Sequence, residues 1–172
     1  MPATRTLANE ISQENREDHP VIRHLQTQVA NAFVLYANYK HYHWQTYGPL
    51  FRDLHLMFDE FANAVLETVD EMAERIRMIG PDVEAVQLLQ LQKKANVHSA
   101  ESKQSMREMI EEADANLMVV IKDIRDAAHA AEENHDPGSN DLFARIVQIH
   151  EKHEWFLRQV LKHSDGLVAA PR

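Results

Sequence analysis

Cysteine is absent from the 172-residue chain, which excludes a disulfide framework and any metal site built on thiolates. Glycine (4) and proline (6) are scarce, while alanine, leucine, glutamate, glutamine, methionine and lysine are plentiful. That is the profile of a mostly helical protein. Long apolar runs are missing too. The longest aliphatic run, Leu117–Ile121, is far short of the roughly 20 residues that span a bilayer. The first residues (M-P-A-T-R-T-L-A-N) lack the apolar stretch of a secretory signal, so a soluble, cytoplasmic protein is expected, without membrane partners. Positive charge is in deficit: 18 Lys and Arg against 27 Asp and Glu, a formal net charge of −9. An anionic chain resists nucleic-acid phosphates unless its cations are concentrated somewhere, and it suits cation uptake. There is no Ser-His-Asp order, no glycine-rich phosphate loop and no Cys-His zinc spacing. The one Glu-x-x-His match, Glu132–His135, falls in a turn region and is discounted.

What is present is helical periodicity. Residues 1–17 are polar and aperiodic, with two Arg, three Glu and no Lys, and read as a flexible tail. A first helix is expected from Pro20 to about Tyr47. Its apolar positions are Leu25, Val29, Ala32, Tyr36 and Tyr39, with His43 continuing the series. Gly48-Pro49 breaks it. A second helix, Leu50–Ile79, stops at Gly80-Pro81. A short crossover helix is expected within Val83–Asn96. A third long helix runs from about Ala100 to Glu133. After the turn residues Asn134–Gly138, Ser139 reads as the N-cap of a fourth that extends to about His163. The expected architecture is all-α: one domain over 18–165, a four-helix bundle with a crossover between helices two and three, and a C-terminal tail at 166–172.

The second helix carries the chemistry. His55, Asp59, Asp70 and Glu74 fall within about a quarter of its circumference at ~100° per residue. This polar stripe lies roughly 130° from the apolar line Leu54, Phe58, Phe61, Val65, Val69, Met72, Ile76 and Ile79. Each i,i+4 pair can hold an ion, yet Asp59 and Asp70 are about 16 Å apart along the axis. Either there are two separate sites, or one chain's first pair meets another chain's second pair across a self-complementary two-fold contact. Ala62, Leu66 and Ala73 border the stripe and would let another helix approach. His and carboxylate donors suit iron, zinc or manganese. Any one of these acids taken alone reads as a solvated helix charge, with Arg52 or Arg77 as its partner. On the same grounds His43 and Trp44 alone read as core residues, and His150 and His153 as surface histidines, with His98 a weaker candidate.

The run K-H-Y-H-W-Q-T-Y-G-P-L-F-R-D-L-H-L-M-F-D followed by V-D-E-M-A-E-R-I-R-M-I-G resembles the Dps miniferritins, the DNA-binding proteins from starved cells. The resemblance is specific over Tyr39–Gly80. It implies a ferritin-like bundle and a ferroxidase centre shared between subunits, with His43, His55, Asp59, Asp70 and Glu74 as its catalytic metal ligands. It further implies two iron ions per centre, a hollow shell of twelve subunits, and oxidation of Fe(II) by hydrogen peroxide in preference to oxygen, with ferric oxide stored inside. Trp44 would intercept stray oxidising equivalents, and Glu132, Asp136 and Asp141 would line an acidic entry pore, where Pro137 takes one place at which an acid is common. The same ligands accept zinc, which has no redox step. The competing expectation is a DNA-compacting structural protein whose metal site is vestigial or zinc-filled. Members that bind DNA often do so through a lysine-rich tail, and this chain has none. A gel shift at physiological salt is therefore expected to show weak or no DNA binding, and tight complexes at moderate salt would overturn this.

Overall fold

The computed structural model describes residues 18–84 and 88–162. The expected tails at 1–17 and 166–172 lie outside the described residues. Five helices form the chain there: α1 (Pro20–Gln45), α2 (Phe51–Ile79), the short α3 (Leu88–Lys94), α4 (Met106–Glu133) and α5 (Pro137–Val160). Among the described residues no strand occurs and no helix is long and apolar enough to cross a membrane. The four long helices make a ferritin-like bundle, and α3 is the expected crossover.

Local chemistry sets the boundaries. Pro20 opens α1, with its fixed φ and no N–H to leave unpaired. Gly48, at φ +84°, turns the chain between α1 and α2 in a conformation that L side chains rarely adopt. Gly80 does the same after α2 at φ +131°, its N–H reaching Ile76 O. Helix α4 begins at Met106 rather than near Ala100 because Ser105 and Glu108 form a reciprocal capping box. The N-cap of α5 is Asp136, not Ser139. The Asp136 side chain accepts from the Ser139 N–H, and Pro137 is the first helical residue. Asp136 Oδ1 also takes a hydrogen bond from Arg75 Nη2 at 2.5 Å. Arg75 Nε donates to Ser139 Oγ at 2.9 Å, so the α4–α5 turn is tied to α2.

The core lines up largely as the periodicity of α2 predicts. Leu54, Phe58, Phe61, Val65, Met72, Ile76 and Ile79 are buried, and Thr68 takes the inward place beside a half-buried Val69. Thr68 manages this by donating its hydroxyl to Val65 O. In α1 burial extends almost all round and includes Gln26, Gln28, Asn31 and Asn38. Tyr42, not His43, continues its inward face. The connecting segments hang from these amides. Gln26 Nε2 donates to Asp82 O and Gln26 Oε1 accepts from the Glu84 N–H. Asn31 accepts from the Asn96 N–H. Asn38 donates to His98 O and accepts from the Ala100 N–H. Asn116 of α4 pairs with both backbone groups of His98. The backbone of His98 is therefore a structural node.

The expectation that His150 and His153 are surface histidines is overturned. They are 2% and 5% exposed, because α5 turns this face toward α1 and α2. His153 stacks on Phe61 with ring centres 3.8 Å apart. Burial pushes His150 down to about 4. Burial, with smaller contributions from His150 and Lys152, pushes His153 down to about 3. The folded protein thus refuses protons that the unfolded chain binds below the ordinary value of 6.5. The stabilisation is whole above pH 6.5 and is lost as the pH falls from there toward 4 for His150 and toward 3 for His153. Denaturant midpoints measured across that window should fall with pH. His150→Leu should reduce proton uptake on unfolding at pH 5 by about one proton; unchanged uptake would refute the assignment.

Candidate metal centre

The turn at 46–50 folds α2 back along α1, and this places His43 beside His55. Their rings stack with centres 3.7 Å apart at 22°. Each ring bonds the other residue's backbone: His43 Nδ1 to His55 O at 2.7 Å, and His55 Nδ1 to His43 O at 2.9 Å. A carbonyl oxygen can only accept, so both Nδ1 atoms carry hydrogen. Both Nε2 atoms are thereby left with their lone pairs directed away from the backbone, which is how ligand histidines are commonly oriented. Phe51 stacks on the far side of His55, with ring centres 5.2 Å apart, and limits its rotation. Both histidines are half-buried.

Asp59 lies one turn beyond His55 and is also half-buried. Its Oδ1 accepts from Lys40 Nζ at 2.6 Å. That hydrogen bond holds the Asp59 carboxyl below the usual carboxylate range; partial burial opposes it, and the charges of Lys40, His43 and His55 add to it. Lys40 is the residue that the sequence reading missed. Its signal was its place three residues before His43, on the same side of α1. The ammonium stands where a cation would be drawn, and it also sits 5.8 Å from the centre of the Trp44 ring. Trp44, expected in the core when taken alone, is 67% exposed.

Asp70 and Glu74 are exposed on the same helix. Neither has an ion-pair partner among the described residues: Arg77 goes to Asp82 and Pro81 O instead. The structure therefore stacks His43 on His55, with Asp59 near enough for their charges to act on its carboxyl, and leaves Asp70 and Glu74 exposed and unpaired among the described residues. Among the described residues no three His, Asp or Glu side chains converge on a point that could hold a metal ion.

The three expected pore acids are placed differently from one another. Glu132 and Asp141 are exposed. Asp136 is 2% exposed, its Oδ1 shared by Arg75 and the Ser139 N–H, so it holds the turn instead of facing solvent. An open depression does lie here, lined by Glu132, His135, Asp136, Pro137 and Asn140. A separate groove of about 480 Å³ between α1 and the crossover, lined by Phe33, Tyr36, Asn38, His41 and Leu91 among others, carries no acidic residue.

Comparison with known proteins agrees with this architecture. The ferritin-like domain family matches residues 22–166. DNA protection during starvation protein 1 of Deinococcus radiodurans is 31% identical over 156 residues, covering 90% of this chain and 75% of that protein. The X-ray structure of Dps from Thermosynechococcus elongatus superposes with a TM-score of 0.85 at 42% identity, covering 92% of this chain and 100% of that one. The Dps protein of Vibrio cholerae O1, described as a member of a broad superfamily of ferritin-like diiron-carboxylate proteins, gives 0.78 at 25% identity, covering 86% and 92%.

The ring arrangement has a direct spectroscopic consequence. In protein labelled with ¹⁵N-histidine, the deprotonated rings of His43 and His55 should both show the hydrogen on Nδ1. Finding it on Nε2 in either ring would contradict the reciprocal pairing.

Proposed function

The chain belongs to the Dps family of ferritin-like proteins, and from that membership and the site geometry we propose that it is a cytoplasmic ferroxidase and iron store. Fe(II) is its substrate, hydrogen peroxide its preferred oxidant with oxygen as the slower alternative, and ferric oxide its cargo. The observation that carries this reading is the His43–His55 pair, which frees two Nε2 donors on a half-buried seam with Asp59 one helical turn beyond His55.

Three donors on one chain make half a site. The other half is Asp70 and Glu74 of the partner subunit, brought opposite by an antiparallel two-fold contact that repeats the arrangement on both sides. Asp70 and Glu74 stand exposed and, among the described residues, without a cation of their own, as residues meant for a neighbour would. The two-fold pairs assemble further into a shell of twelve subunits. The imidazoles and carboxylates match the borderline character of Fe(II). On arrival of the ion, Lys40 gives up Asp59, so the ammonium holds the carboxylate charged and in position until it is displaced. Two Fe(II) held together let peroxide take two electrons at once. That route avoids the hydroxyl radical which one-electron reduction produces, and it is the protective element of the reading. Glu132 and Asp141 at the α4–α5 turn attract the incoming cations. Trp44, exposed beside the seam, intercepts oxidising equivalents that escape.

Anaerobic addition of Fe(II), then peroxide, followed optically, should consume two Fe(II) per peroxide. His43→Ala and Asp59→Ala should each slow the reaction about tenfold or more, and both should lose the protection of DNA from strand breakage by iron and peroxide. Wild-type rates in the variants would exclude the seam as the site. Stable zinc occupancy with no iron oxidation would instead favour a redox-inert structural site.

A further inference from the structure

We propose that Tyr42 and Glu112 form a proton-coupled redox pair, a built-in sink for a one-electron oxidising equivalent that escapes the neighbouring seam. The inference rests on the reading of that seam as the place where Fe(II) and peroxide meet.

Tyr39 and Tyr42 lie one turn apart on α1, and both are fully buried. Both rings approach Phe58, at 6.2 Å and 5.3 Å between centres, so both occupy the same aromatic region. They differ in one respect. The Tyr42 hydroxyl donates to Glu112 Oε1 across the bundle. The Tyr39 hydroxyl is buried with no hydrogen-bond partner among the described residues. The Glu112 carboxylate is itself held in place by the Glu101 N–H and by Gln104 Nε2, the latter at 2.9 Å. Helix α4 thus hydrogen-bonds a fixed base to Tyr42, whereas the Asp114 carboxylate of the same helix acts on Tyr39 through its charge alone, with no hydrogen bond to the Tyr39 hydroxyl.

That difference decides which ring can be oxidised. A phenol that loses an electron becomes a very strong acid, and leaving the cation in an apolar core is costly. Electron loss is easy only where a positioned base takes the proton as the electron departs. At Tyr42 the step balances as follows. A hydroxyl radical takes one electron from the ring and leaves as hydroxide. The phenolic O–H bond breaks, and its proton passes to Glu112 Oε1. The products are a neutral tyrosyl radical and a protonated glutamic acid. A further Fe(II) returns the electron and becomes Fe(III), and the proton goes back to the phenol oxygen. Tyr42 directly precedes His43, and Phe58 directly precedes Asp59, so the sink is next to the seam in sequence on both helices. Trp44 is the competing site, but the Lys40 ammonium near its ring raises the cost of making that ring cationic.

The test uses iron-free protein in a Tyr47→Phe background, which removes the most exposed tyrosine (57%). A photogenerated ruthenium(III) tris-bipyridine is the one-electron oxidant, and samples are freeze-quenched for electron paramagnetic resonance. A persistent tyrosyl signal, altered by ring-deuterated tyrosine, is expected. Tyr42→Phe and Glu112→Gln should each lower its yield about tenfold, equal to ~1.4 kcal/mol, while Tyr39→Phe leaves it unchanged. Thermal melts check that each variant is folded, and Glu112→Gln keeps an acceptor for the hydroxyl while removing the base. An undiminished signal in Tyr42→Phe or Glu112→Gln, or its loss in Tyr39→Phe, overturns the proposal. The iron and peroxide arm, run on the same proteins, separates the two readings. Absence of iron oxidation in the parent protein counts against the seam, whereas the photo-oxidation result decides the Tyr42–Glu112 pair on its own.

Discussion

Helix α1 is covered on almost every side, and a helix so covered must satisfy its polar side chains from within the fold. Gln26, Asn31 and Asn38 do so by binding the backbone of the segments that enter and leave the crossover. The crossover therefore lies where α1 requires it, and α2 and α4 pack against the other faces. At the C-terminal end of α1 the covering stops. Tyr42 still points inward, and the next residue, His43, is only half-covered. The His43–His55 seam exists because the burial of α1 gives out at that register, just where the Gly48 turn brings α2 alongside.

Much of this was legible in the sequence, for identifiable reasons. The period of α2 placed seven of its eight expected apolar residues in the core, because a helix with one clear apolar stripe has one way to face a bundle. Helix α1 was harder to read. When a helix is buried all round, apolar periodicity no longer marks one face, so Tyr36 was given an inward place that it only half takes and His43 a place that belongs to Tyr42. His150 and His153 were misread because a histidine is polar by composition. Nothing local in E-K-H-E-W shows that Phe61 will supply a ring for His153 to stack on. Lys40 was overlooked because its partner, Asp59, lies on another helix 19 residues on. Ser139 was chosen as a cap over Asp136, although Asp-Pro-Gly-Ser offers both. The ion pair with Arg75, 61 residues away, gives Asp136 a second reason to be there that no local rule contains.

The charges show how a strongly anionic chain organises its acids. Asp59 and Asp136 both meet a cation, but under different constraints. Asp136 is buried, and its partner Arg75 is a planar fork that also binds Ser139 Oγ, so the pair is multiply tied and acts as a fixed brace. Asp59 is 39% exposed at its side chain and meets a single Lys ammonium, an arrangement that is weak and readily exchanged in water. On the proposed reading, a brace at the turn and an exchangeable pair at the seam suit a surface that handles cations. Arg75 follows Glu74 directly, so the brace also fixes the helical turn from which Glu74 projects.

On the proposed reading, a half-site on each chain makes the chemistry conditional on assembly. His43, His55 and Asp59 alone offer donors from one side, with a lysine already on the carboxylate, and such a set holds a divalent ion poorly. On that reading, four or more donors arriving from two chains displace the lysine, because a single solvent-accessible ion pair exchanges readily in water. On the proposed reading, free subunits would neither gather Fe(II) nor generate reactive oxygen in the open. The oxidation would begin only where two seams face each other and a cavity stands behind them to receive the product. The Tyr42–Glu112 pair fits the same logic from inside one chain. It sits behind the seam, within the bundle, where a stray electron hole can be held on a neutral ring until another Fe(II) fills it.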